Sequence, residues 1–120
     1  MSDKLKKCFK EGETGKERHR GLKKIEPSKD LIKKHMEKAM HNLNAVVDFK
    51  NRGYSDWSAS ASFYCLYQGL LALVLKHGYQ SRNQSCTFAF IEDLINNGEI
   101  ALTISELREV FDRIKKEVEA

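Results

Sequence analysis

The sequence predicts an all-α protein, a four-helix bundle of the up-and-down type carrying a basic N-terminal extension. Three observations predict it. The 120 residues contain only 7 Gly and 1 Pro, too few breakers for the many tight turns of a sandwich or barrel. Four segments repeat apolar residues at spacings of three and four, as one face of a helix requires. No segment alternates with period two for long enough to argue a strand.

The length suits one domain with one modest core. Two regions divide it: an extension over 1–26 and a helical domain over 27–120. The extension carries nine Lys and Arg against five Asp and Glu, so it holds the whole net charge of +4. It is poor in apolar residues, which predicts a solvated arm that builds no core and is dispensable for folding. Arg18, His19 and Arg20 at its centre are candidate contacts to nucleic-acid phosphate.

The first helix is expected from about Ser28 to Arg52. Ser28 caps it, Ile32, Met36, Ala39, Leu43 and Val46 share one face, and Gly53 ends it. The second runs from Ser55 to about His77, with Gly78 as its stop. Trp57, Phe63, Tyr64, Leu66, Tyr67, Leu70, Leu71, Leu73, Val74 and Leu75 spread over most of its circumference, which predicts a central helix buried on several sides. One strip is small instead: Ser58, Ser62, Cys65, Gly69 and Ala72. A small strip permits close helix approach, and because three short helices are too few to cover the second helix, a homodimer with that helix near its centre is expected, packing within the chain being the alternative. The third helix, about Gln84 to Asn97, is capped by Asn83 or Ser81 and buries Phe90, Ile91, Leu94 and Ile95. The fourth opens on a capping box, Thr103 with Glu106, and repeats Ile104, Leu107, Phe111, Ile114 and Val118.

Several classes of function are excluded or disfavoured. The longest unbroken apolar stretch, Leu70 to Leu75, is short of the roughly 20 residues that span a bilayer, so no membrane association is expected. The opening MSDKLKKCFKEGETGK has no apolar h-region, which predicts no secretory signal. Cys8, Cys65 and Cys86 are odd in number and lack CxxC spacing. This argues against a disulfide framework or zinc site, for a free thiol at Cys8, and for a reducing cytoplasm. His35 and His41 are six apart and face different sides of a helix, so no metal site is expected. No phosphate-binding loop, dinucleotide fingerprint, zincin motif or nucleophile elbow is present, and no cofactor is implied.

The segment from Gly78 to Thr87 carries the most chemistry. Its polar residues end at a helix N-terminus, where free amides and the helix dipole favour an anion. Arg82 offers a five-donor fork suited to phosphate, and Asn83 and Gln84 add amide donors and acceptors.

Tyr54-Ser55-Asp56-Trp57, the run from Ser60 to Leu73, then Gly78-Tyr79 and Ser81-Arg82-Asn83-Gln84 resemble the HEPN domain, the higher eukaryote and prokaryote nucleotide-binding domain, over about residues 28–118. The resemblance implies an all-α, commonly dimeric prokaryotic protein. Many such proteins pair with a minimal nucleotidyltransferase in toxin–antitoxin systems, and the active members are metal-independent ribonucleases. Their signature is Arg, a polar residue and, after four to six intervening residues, His. Arg82-Asn83 matches its start, but Thr87 stands five beyond Arg82 and no histidine follows His77. Gln68 and Gln84 stand where relatives can carry histidine, and glutamine exchanges no proton near pH 7. The chain therefore reads as a divergent member without the catalytic His. The expected function is a module that binds RNA, a nucleotide or a nucleotidyltransferase-type partner, with no assigned catalytic residue. The alternatives are a ribonuclease toxin with an atypical site, in which His19 folds back toward Arg82, and a dimeric scaffold.

Overall fold

The computed structural model describes residues 1–98. These residues are mostly helical. Four α-helices, α1 (Asp3–Thr14), α2 (Lys29–Asn51), α3 (Ser55–Lys76) and α4 (Gln84–Asn96), are joined by a 3-10 turn at Lys16–Arg18 and two short strands, β1 (Leu22–Lys24) and β2 (Tyr79–Ser81). The first three helices expected from the sequence are α2, α3 and α4. The expected fourth, near 103–118, lies outside the described residues.

The helix ends follow from local chemistry. The Ser28 hydroxyl accepts from Leu31 N–H at 3.2 Å and starts α2. The Asn83 side chain accepts from Cys86 N–H at 3.1 Å and starts α4. Gly78 takes φ +86°, a left-handed conformation that ends α3 without a Cβ clash.

Helices α2 and α3 run antiparallel through a short turn at 52–54. His35 Nδ1 lies 2.6 Å from Gln68 Oε1, and the Ser58 hydroxyl donates to the Val46 carbonyl at 3.0 Å. Ala39, Leu43 and Cys65 make a small core between the two helices. Ala39, Leu43 and Val46 of the expected face are buried, whereas Met36, one turn nearer the helix start, is 41% exposed.

The main core gathers Leu70, Leu73 and Val74 of α3 and Cys86, Phe90, Ile91 and Leu94 of α4 around Leu5, Cys8 and Leu22. Ile95 follows Leu94 by one residue, turns away and is exposed. Helix α3 is apolar enough by length and composition to cross a bilayer, with mean hydropathy 1.4 over 18 residues, which no unbroken apolar run had signalled. Half of that window is buried within the chain, as befits a core helix. Burial is one-sided: Trp57, Phe63 and Tyr64 are exposed, so α3 is not enclosed all round.

The first 26 residues depart most from expectation. They are not a solvated arm. Ser2 caps α1 by accepting from Leu5 N–H at 3.1 Å, and Leu5, Cys8 and Leu22 are fully or almost fully buried. Leu5, Cys8, Phe9 and Gly12 recur at helical spacing, so a thin apolar stripe suffices where the partner surface is ready-made. A Cβ on Gly12 would meet the Leu22 carbonyl oxygen at 1.9 Å, so only glycine lets α1 lie this close to β1. Cys8 is not a free thiol: it is bonded to Cys86 at the start of α4. That bridge removes the support for a reducing compartment, which rested on unpaired cysteines. Strands of three residues are too short to show period-two alternation, and the β1–β2 ribbon went unread for that reason.

Candidate nucleic-acid interface

The ribbon brings the two candidate sites together. β1 pairs antiparallel with β2, with Leu22 opposite Ser81, Lys23 opposite Gln80 and Lys24 opposite Tyr79. Backbone bonds extend it at both ends: Arg82 N–H donates to the Gly21 carbonyl at 3.0 Å, and Ile25 N–H to the Gly78 carbonyl at 2.9 Å. Segment 17–21 is thereby fixed beside Arg82. The Arg82 guanidinium donates through Nη1 to the Glu17 carbonyl, and the Arg82 side chain stays exposed. One carbonyl uses a fraction of its five N–H groups, so the rest of the fork faces outward.

Arg18 and Arg20 are exposed on this segment, Arg18 at the end of the 3-10 turn. Lys4 reaches in from α1 and donates to the Ser85 hydroxyl in the first turn of α4. Gln84 opens α4 and is exposed. Arg82, Gln84, Arg18, Arg20 and Lys4 thus belong to one neighbourhood at the N-terminal end of α4.

Two of the expected contact residues are engaged within the protein, His19 wholly and Asn83 through its side-chain oxygen. His19 is 1% exposed. Its Nδ1 accepts from Gly21 N–H at 3.3 Å, which assigns the ring proton to Nε2, the atom 3.2 Å from Gln80 Oε1. Both ring nitrogens are occupied, and His19 holds the 3-10 turn to β2. Asn83 uses its side-chain oxygen as the α4 cap. Behind it, Ser81, Thr87 and Tyr67 form a hydroxyl chain, with Ser81 Oγ 2.5 Å and Tyr67 Oη 3.1 Å from Thr87 Oγ1. Thr87, at the signature's fifth position, is fully buried and holds α3, β2 and α4 together.

The small strip on α3 is turned inward. Ser58, Cys65, Gly69 and Ala72 are buried and Ser62 is half-buried. Ser58 and Cys65 meet α2, so the close approach that the strip permits occurs within the chain. Burial pushes the Cys65 thiol above its ordinary pKa. Sequence reasoning missed Lys4, Lys23, Lys24 and the Cys8–Cys86 bridge. The stripe Leu5, Cys8, Phe9 and Gly12 was the signal that could have shown the extension to be folded. Among the described residues, no cluster of His, Cys, Asp or Glu has the makings of a metal site.

Comparison with protein-family models, with curated proteins and with solved structures finds no match.

Proposed function

We propose that this protein is a small helical module that binds RNA or a nucleotide at the surface shared by residues 17–21 and the start of α4, without strong catalytic activity. The observation that carries this reading is convergence. Arg82 is held by backbone and side chain to the segment that bears Arg18 and Arg20, and Lys4 touches the same helix start. Residues 1–98 hold 17 Lys and Arg against 11 Asp and Glu, so the described part is positive overall. Clustered cations at a helix N-terminus attract phosphate. The HEPN-like pattern in α3 and at Arg82-Asn83 points the same way. The state of His19 favours binding over cleavage: a buried imidazole with both nitrogens engaged is a poor general base.

Anisotropy titration of a labelled single-stranded RNA tests the reading. Arg82→Ala weakens binding and lowers the salt slope by about one. Arg82→Lys also weakens it, since lysine keeps the charge and loses the fork. Metal-free ribonuclease activity is expected to be absent. RNA binding indifferent to Arg82, Arg18 and Arg20 overturns the reading. Robust cleavage abolished by Arg82→Ala replaces it with the ribonuclease alternative.

A second reading, a homodimer or a protein partner such as a nucleotidyltransferase, is favoured by one observation. Tyr64, Phe63, Tyr67 and Phe88 form a run of touching rings across α3 and α4, with Phe63, Tyr64 and Phe88 exposed. With the small strip used within the chain, this aromatic run is, among the described residues, an exposed apolar surface of α3 and α4 suited to a second protein. A monomer by sedimentation at micromolar concentration ends the homodimer form of this reading.

A further inference from the structure

Between α1 and the β-ribbon lies a cleft of about 400 Å³. The helix wall contributes Phe9, Gly12 and Glu13. The ribbon wall contributes Leu22, Lys23, Lys24 and Tyr79. The Phe9 and Tyr79 rings meet with centroids 5.0 Å apart, and both are half-buried. Behind them Phe90 packs at 6.1 Å from Phe9 and 5.3 Å from Tyr79, which fixes both rings in place.

From this cleft we propose a binding site for a nucleobase of a single-stranded nucleic acid, with the neighbouring phosphate held by Lys24 and Lys23. The inference rests on the proposed nucleic-acid-binding function and deepens it by naming where a base is held. Three properties support it. The volume falls in the range of ordinary small-ligand pockets, roughly 300–1,000 Å³. Aromatic walls beside cations are the chemistry of single-strand recognition, since every base has a π-face and every link a charge. Among the described residues that line the cleft, the one carboxylate, Glu13, stands on the helix wall, opposite the strand that carries the lysines. It disfavours phosphate there and accepts from an exocyclic amino group, so base and phosphate have a preferred orientation. Arg82 follows Tyr79 by three positions along the extended chain, a span of about 10 Å. One short strand can therefore reach from the Arg82 surface to the cleft.

The test compares a labelled single-stranded DNA 12-mer with an all-abasic 12-mer of equal phosphate number, plus a 12-mer of RNA. The oxidised 120-residue chain is titrated by anisotropy. The expected result is about tenfold weaker binding of the abasic strand, from lost stacking. Tyr79→Leu should remove that discrimination and Tyr79→Phe should retain it, with circular dichroism checking the fold. Lys23→Gln with Lys24→Gln should reduce the salt slope. Equal affinity for normal and abasic strands, with binding still dependent on Arg82, overturns the base cleft and leaves the phosphate surface standing. No binding of any strand overturns both. The abasic comparison uses unmodified protein, so a variant that fails to fold does not spare the proposal.

Discussion

Cys65 differs from the other two cysteines in what reaches it. It is 1% exposed, and burial holds its thiol above the ordinary pKa. The thiolate is the reactive form, so both access and ionisation protect it. Without reductant, an aromatic disulfide reagent should release nothing quickly from folded protein and one equivalent after denaturation. Two or three equivalents would mean that Cys8 and Cys86 are not joined. Leu22 carries a different burden. It is 1% exposed within the main core, although its strand is only three residues long. Leu22→Ala should cost about 2–5 kcal/mol by urea denaturation. A loss below about 1 kcal/mol would show that the ribbon does not seal the core.

At the scale of elements, α1 is the piece whose role changes most. Removing residues 1–26 takes Leu5, Cys8 and Leu22 from the core and leaves β2 without a partner. The melting temperature should therefore fall steeply, where a solvated arm would leave it unchanged. Gly12→Ala isolates the docking step. The new Cβ would collide with backbone, which cannot swing away as a side chain can. Faster proteolysis within α1 is expected, with α2 and α3 retained. Wild-type protease resistance in that variant would count against the close approach. The α2–α3 pair was legible from periodicity because long helices repeat their signal many times. The α1 stripe was not, because Leu5, Cys8 and Phe9 sit among Lys4, Lys6, Lys7 and Lys10, and mean composition hides a narrow apolar face.

At the scale of the molecule, the N-terminal segment compensates for its sparse apolar surface with a covalent tie. The bridge joins residues 78 apart, for which the chain-entropy model gives about 4–5 kcal/mol. Reduction should lower the melting temperature by about 10–20 °C at the several degrees per kcal/mol typical of small domains. An unchanged melting curve would show that burial alone holds α1. Arg82 was legible as a candidate from its polar context before a helix. Its neighbours were not, because pairing between positions 22 and 81 is a long-range fact that local spacing does not encode. His19 and Asn83 were candidates beside it, but burial and capping decide whether a polar side chain is free to meet a ligand, and neither is visible in composition.

The bridge also makes the backbone from Cys8 to Cys86 a closed covalent ring. The turn at Arg52-Gly53-Tyr54 is exposed and lies on that ring. A single tryptic nick after Arg52 would open the chain without dividing the molecule. The two pieces would migrate as one species on a gel run without reductant and separate only when a thiol is added. A nicked protein of this kind would remain one particle, its halves still aligned through α1 and α4.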